Sequence, residues 1–408
     1  MHNRLLIIQF KFMPERKRSD RASDWDADPI VEWVLDEGRF SADLDDLVGQ
    51  LGRRMLTSGA PVWRLRLAMR TLHPLVTAVT STWEREARSQ SQIESLHGLE
   101  GRPFYKGSPF EIIRRTREPF RKRLTAALPD TDHTSLHELK RRGCTDYFGL
   151  PLEFSDGAVA IMVIATDFEE GFANVDLAHF TKIASVLAPI IEVFSLRHIS
   201  RAVAEAYLGA RTGQRVLAGQ ITRGHIEKIN AAILVSDIRD WTSLNNRIGS
   251  EAALALANRY FEAIAGAVEA NGGEILKFMG DGVLAVFPTD NSLNAARVCE
   301  NALTAGQQAL QAAREADPPL DLHFGIGMHV GEVLYGNIGS LTRIDFTVLG
   351  QAVNVAARIE ALCRKFDRPI LFSQTFADLL DAPAELVARQ TLKGEDSASS
   401  ILTTREDP

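Results

Sequence analysis

Between Glu274 and Phe287 the chain reads EILKFMGDGVLAVF. Two short apolar runs flank Gly280-Asp281-Gly282, which predicts a strand–turn–strand with Asp281 at the glycine-flanked tip. Asp-Gly is a common hairpin turn, so this segment fixes a local hairpin and the fold must be read with its surroundings. The patterns around it narrow the choice further.

AAILVSD (231–237) reads as a strand, and EAALALANRYFEAIAGAVEAN (251–271) reads as a helix. Leu254, Ala257, Phe261, Ile264 and Val268 form the helix's apolar stripe, and Gly272 and Gly273 stop it. A helix over about 292–314, strands over 320–328, 331–337 and 344–348, a helix over 351–365 and the strand PILF (369–372) follow. This βαββαβ alternation predicts an α+β, ferredoxin-like sheet with helices on one face.

The full chain has 408 residues, enough for two or three domains. Its net charge of −7 gives no electrostatic reason to expect nucleic-acid binding. Cys144, Cys299 and Cys363 lie far apart with no CxxC pair, which argues against a disulfide framework or a zinc site. No run approaches the roughly 20 apolar residues of a membrane span. The N-terminal LLIIQF is too short for a signal peptide. A cytoplasmic protein with no membrane span is expected.

Residues 1–28 read as a mobile, mixed-charge tail, and 30–196 as a first unit. Helical patterns are expected at 45–56, 62–72 and, in the basic EIIRRTREPFRKRLTAAL, 111–128. YFGLPLEF (147–154) and AVAIMVIAT (158–166) read as strands joined by an SDG turn, and 173–196 as a helix. Residues 197–229 form a partly helical linker, read as a transmission element, and an output domain runs over 230–405. His133 and His137 stand four apart but have no evident third ligand, so they read as loop and surface residues.

Three segments of the output domain carry chemistry. Asp237 ends a strand and Asp281 sits at the hairpin tip; two separate carboxylates brought to one sheet end can hold Mg²⁺ and leave room for phosphate oxygens. Taken singly, Asp281 also suits a plain turn, and Asp237 a cap. Asn354 and Arg358 stand four apart on one helix face. There an arginine can neutralise a pentavalent phosphorus and an asparagine can orient a ribose, although a solvated polar face has the same spacing. Lys277 lies in an apolar strand, where it needs a partner, a cleft or an edge facing water. The Thr347 hydroxyl can both donate and accept.

SDIRDWT, LKFMGDGVLAVF, GIGMHVGEVLYGNIGS (325–340) and FTVLGQAVNVAARIE together resemble the class III nucleotidyl cyclase catalytic domain over about 231–394. The resemblance implies that Asp237, Asp281 and the backbone carbonyl of Ile238 hold two Mg²⁺ (or Mn²⁺) ions per active site. It makes Lys277 and Thr347 the purine-selecting pair. Lysine donates to adenine N1, and guanylate cyclases of the family usually carry Glu and Cys-type residues at these places, so ATP is the implied substrate. Asn354 and Arg358 match the transition-state pair, Lys393 a lysine on the triphosphate, and Arg343 a basic position near the phosphates. A head-to-tail homodimer is implied, with Asp237 and Asp281 from one chain and the remaining groups from its partner. The expected activity is adenylate cyclase; a guanylate cyclase and a catalytically silent nucleotide-binding regulator are the alternatives. After LKG (392–394), EDSASSILTTREDP replaces the usual strand, so the end of the fold is expected to be shortened or irregular. The hairpin and closing helix over 147–196 resemble the end of a GAF-type sensory domain. That resemblance implies an unknown ligand or protein partner for the first unit.

Overall fold

The computed structural model describes residues 25–405 apart from 72–75, 87–90, 97, 99–101, 103, 223, 290–293, 317–321, 341 and 393–397. The chain divides into two compact units, residues 1–202 and 203–408.

The first unit begins with α1 (Asp28–Asp36) and α2 (Leu44–Thr57). The Asp43 side chain caps α2 by accepting from the Asp46 N–H at 2.8 Å. Then come β1 (Arg64–Arg70), β2 (Val76–Glu84), β3 (Ser91–Leu96), α3 (Pro109–Thr116), β4 (Phe120–Arg123) and α4 (Thr134–Arg141). The strands β5 (Asp146–Glu153) and β6 (Val159–Thr166) and the long helix α5 (Asn174–Leu208) complete the run. The strands form one antiparallel sheet in the order β3-β2-β1-β6-β5-β4. Alternation divides its two faces. Leu65, Leu67, Leu150 and Met162 pack under α1, α2 and α5, while Val159, Ile161 and Val163 pack under α3 and α4.

Several expectations need correction here. Residues 62–72 are not helical: Leu65, Leu67 and Met69 alternate with arginines along β1. The predicted helix over 111–128 stops at Thr116, where Arg117 takes a left-handed conformation (φ 58°), and Pro119 precedes β4. In the stretch read as a tail, residues 1–24 lie outside the described ones. Trp25 and Ala27 are buried, and Trp25 Nε1 donates to Asp176 at 2.7 Å. Among the described residues, α5 is long and apolar enough to cross a bilayer by length and composition alone. Its Phe180, Ile183, Leu187 and Ile191 are nonetheless buried in the core of the first unit.

The second unit contains α6 (Ala210–Leu217), β7 (Ile226–Ile238), α7 (Trp241–Ile248), α8 (Ser250–Ala270), β8 (Glu274–Met279) and β9 (Gly282–Thr289). It continues with α9 (Ala295–Glu315), β10 (Phe324–Gly339), β11 (Ile344–Leu349), α10 (Gln351–Phe366) and β12 (Ile370–Ser373). The short α11 (Gln374–Ala377), β13 (Ala384–Thr391) and β14 (Ala398–Thr404) end it. The sheet order is β13-β14-β12-β10-β7-β9-β8, and β11 pairs with the distal half of β10. The two strands expected at 320–328 and 331–337 are one continuous β10, paired with β7 from Phe324–Ile238 to Gly336–Ile226.

Helices cover both faces of this sheet rather than one. Leu234, Val283, Ala285 and Ile326 face Tyr260 and Ile264 of α8 and Leu303 of α9. The alternate residues Ile233, Val235, Leu284 and Val286 face Ala352 and Ala356 of α10. The α10 contact is close because β10 has glycines beneath it. A Cβ on Gly327 would stand 2.2 Å from the Glu360 backbone nitrogen, and one on Gly325 would stand 2.8 Å from Cys363 Cβ. Beyond Gly394 the fold is not shortened: β14 pairs with both β12 and β13. A buried carboxylate ties α6 to the sheet. Glu274 accepts from the Thr212 hydroxyl (2.6 Å) and backbone N–H (3.2 Å) on one oxygen, and from the Tyr335 hydroxyl (2.7 Å) on the other.

Candidate active site

The antiparallel register of β7 and β9 sets Asp237 opposite Gly282, so Asp281, one residue earlier in the hairpin turn, comes beside it. Glycine is required on both sides of that turn for different reasons. Gly280 has a positive φ of 69°. At Gly282 a Cβ would lie 3.0 Å from Asp237 Oδ1, so the bare glycine leaves space for that carboxylate.

Asp237 is half-buried. Burial first, and then the neighbouring Asp281 charge, raise its carboxyl to about 6. Glu360, on α10, is pushed up to about 7 by burial and by the charges of Asp237 and Asp281, with Arg239 opposing. Three acids therefore share one electrostatic environment at this end of the sheet. Carboxylates that repel one another and lose hydration gain most from a divalent cation, and two oxygen-donor side chains leave room for phosphate ligands. The donor set fits Mg²⁺ or Mn²⁺. No group of three or more His, Cys, Asp or Glu side chains with metal-ligating geometry occurs among the described residues. Asp237, Asp281 and the Ile238 carbonyl are the groups that would hold the ions.

The turn after Ile238 is clamped to the C-terminal end of α10. Arg239 donates to the carbonyl oxygens of Cys363 (3.1 Å) and Arg368 (2.7 Å) and to Asp367 (3.1 Å). A cation here suits the orphan carbonyls of a helix end. Arg364 reaches back to Asp240 at 2.8 Å.

A second group forms where β8 meets β11. Lys277 Nζ donates to Asp345 Oδ2 at 2.8 Å. Asp345 and Thr347 share one face of β11, while Phe346 and Val348 turn into the core. Lys277 is thus tied to β11 through Asp345, which stands two positions before Thr347 on the same face of that strand. Arg343 is well exposed, and its Nε lies 3.8 Å from Asp345 Oδ1, beside this group.

Asn354 is exposed and Arg358 half-buried on α10, off the stripe formed by Ala352, Val355, Ala356 and Ile359. Among the described residues, neither makes a hydrogen bond or ion pair with Asp237 or Asp281 of its own chain. The structure therefore brings the two carboxylates together and Lys277 to Asp345, but leaves Asn354 and Arg358 free of both groups. Lys393 lies outside the described residues. Sequence reasoning missed Asp345, Glu360 and Arg239. An acid two positions before Thr347 on a strand, and another two positions after Arg358, were the available signals.

Residues 225–399 match the sequence profile of the adenylate and guanylate cyclase catalytic domain. An adenylate cyclase of Anabaena cylindrica is 34% identical over 179 residues, 41% of this chain and 35% of the relative. The chain thus spans about a third of that relative's length. A bacterial light-regulated adenylyl cyclase structure is 28% identical with a TM-score of 0.38, covering 44% of this chain and 92% of that one. The structure of the guanylyl cyclase Cya2 is 27% identical with a TM-score of 0.38, covering 45% and 94%. The matched stretch, residues 225–399 of the second unit, corresponds to the adenylate and guanylate cyclase catalytic domain and contains Asp237, Asp281 and Lys277.

Proposed function

We propose that the chain is an adenylate cyclase that converts ATP to 3′,5′-cyclic AMP and pyrophosphate at a site shared between two copies. The observation that carries this reading is the convergence of Asp237 and Asp281 at one sheet end, with a carboxyl whose proton affinity is raised in the absence of a cation. When bound, two Mg²⁺ or Mn²⁺ ions supply Lewis acidity at the ribose 3′-oxygen and neutralise the polyphosphate.

The reaction forms a bond from the 3′-oxygen to the α-phosphorus and breaks the bond from that phosphorus to the β-bridging oxygen. Pyrophosphate departs with its electron pair, and the 3′-hydroxyl proton passes to solvent. Arg358 offsets the charge that grows on the α-phosphoryl oxygens. Asn354 orients the ribose for in-line attack, where positioning contributes much of the rate. Lys277 donates to adenine N1, and Asp345 fixes the ammonium while leaving it further donors. Guanine presents a donor at N1, so the lysine disfavours GTP.

Asn354 and Arg358 lack partners among the described groups of their own chain. This supports a head-to-tail homodimer in which they meet the carboxylates of the other copy. We read residues 30–196 as a GAF-like input domain that regulates this output. Direct measurement of cyclic AMP and cyclic GMP with Mg²⁺ or Mn²⁺ tests the reading. ATP turnover is expected to exceed GTP turnover, and Lys277→Glu with Thr347→Cys is expected to depress ATP use and admit GTP. A chain that makes neither product, or a double variant that uses ATP unchanged, overturns it.

A further inference from the structure

The first unit encloses a cavity of about 270 Å³ that plays no part in the cyclase chemistry. It lies on the sheet face beneath α3 and α4. Strand register sets its floor: Arg64 pairs with Ala165, Arg66 with Val163 and Ala68 with Ile161, and Tyr147 flanks Ala165 on the other side. The alternation along β1 therefore turns arginines, not aliphatic side chains, toward the covering helices.

Besides Arg64 Nε, which faces the Glu84 carboxylate, three buried polar atoms on cavity-lining side chains have no hydrogen-bond partner among the described residues: Arg66 Nε, Tyr147 OH and His133 Nε2. All three can donate. Ser135 N–H donates to His133 Nδ1 at 3.2 Å, which leaves Nε2 as the protonated nitrogen of the neutral ring. Tyr147 is 3% exposed, and burial pushes its phenol pKa up, so it keeps its proton. Buried donors left unpaired are costly, and a guanidinium is the most costly of them.

The charges in the cavity are also unbalanced. Arg142 donates to both oxygens of Glu84, at 3.1 and 2.7 Å, and Arg64 Nε lies 3.1 Å from the same carboxylate. Arg114 donates to the Tyr105 hydroxyl at 2.9 Å. Arg66 has no carboxylate partner among the described residues, and its guanidinium lies over the Phe110 ring at 5.0 Å. Its pKa is lowered by burial first and then by Arg64.

We propose that this cavity binds a small organic acid whose carboxylate is received by Arg66, Tyr147 and His133 and whose apolar body lies against Ile161, Val163 and Phe110. One unmatched guanidinium suits a monoanion. Arg70, Arg114 and Glu138 also line the cavity, so the choice of a carboxylate over phosphate rests on the apolar wall and is decided by the phosphate control below. The volume lies below the roughly 300–1,000 Å³ of drug-sized sites, so the acid is compact. The site rests on the first unit alone and does not depend on the cyclase reading.

The test uses the full chain with benzoate, phenylacetate and 3-phenylpropionate as probes, and benzamide, inorganic phosphate and adenosine monophosphate as controls, by titration calorimetry. At least one acid is expected to bind saturably, with benzamide weaker by at least about 10-fold. Arg66→Met is expected to abolish that difference while raising the melting temperature of the ligand-free chain, because it removes a buried unpaired charge. Binding by none of the three acids overturns the proposal. So does equal binding of acid and amide, or the same acid affinity in Arg66→Met. A ligand-free Arg66→Met chain that melts lower identifies the arginine as structural and overturns it too. Tighter binding of phosphate or the nucleotide at the same arginine overturns the choice of carboxylate.

Discussion

The ammonium of Lys277 stands 2.8 Å from Asp345 Oδ2, and this contact joins β8, at one edge of the sheet, to β11, which lies beyond β10. The sheet must curl for the two strands to meet. The pair is about half exposed, at 45% and 42%, so it adds less than about 1 kcal/mol to stability. Its role is positional. Asp345→Asn is expected to leave the melting temperature unchanged and to raise KM for ATP roughly 3–10-fold, because Lys277 loses its fixed direction. Steady-state kinetics beside a thermal melt checks this.

Asp237→Ala and Asn354→Ala are each expected to lower cyclic AMP formation by at least about 10²-fold. Mixed and reassorted, the two variants are expected to recover about a quarter of wild-type activity. Random pairing makes about half of the dimers mixed, each with one unmutated site of two. Differently tagged chains establish that mixed dimers are present when the activity is read.

Gly327→Ala tests the seam between β10 and α10. The added methyl would stand 2.2 Å from the Glu360 nitrogen and 2.4 Å from the Ala356 oxygen, both backbone atoms that cannot rotate away. Overpacking of this kind typically costs about 1–3 kcal/mol. The helix that carries Asn354 and Arg358 is displaced, so kcat is expected to fall about 10²-fold beyond any stability loss. Urea unfolding and kcat, measured on the same preparation, separate the two effects.

Metal binding is expected to depend on pH in a set direction. Asp237 is raised to about 6 and Glu360 to about 7 without a cation. A metal-binding carboxylate must be ionised, so Mg²⁺ or Mn²⁺ affinity is expected to fall as pH drops through about 6. Linkage gives the sign for the cation-free chain. Carboxyls with folded pKa values above their unfolded ones stabilise below the unfolded value, and that contribution is lost as pH rises through 6 to 7. Mn²⁺ titrations and thermal melts at pH 5, 6, 7 and 8 check both directions. A flat affinity profile would count against Asp237 as a ligand.

The second unit was legible because its candidate chemistry is written in short local segments. The Gly280-Asp281-Gly282 hairpin needs only turn rules, and Asp237 ends a plainly apolar strand. The pairing of Lys277 with Asp345 was not legible, since it depends on the curl of the sheet across 68 residues. The second helical layer was missed because a six-element alternation does not say which face a helix covers. The apolar residues Ala352, Val355, Ala356, Ile359 and Leu362 make α10 as buried as the helices on the other side. In the first unit, Arg64, Arg66 and Arg70 interleaved with Leu65, Leu67 and Met69 spell a strand by period two. Strong helix formers at nearly every position hid that period. Pro119 was a readable stop for the helix expected over 111–128.

Glu274 is 6% exposed and has both oxygens committed, one to Thr212 and one to Tyr335. Withdrawing Thr212 strips two donors at once from an ion that water reaches poorly. The α6 contact is thus an all-or-none tie: Thr212→Val removes the hydroxyl donor, and Glu274, with little water at hand to replace it, loses part of its hold on that helix.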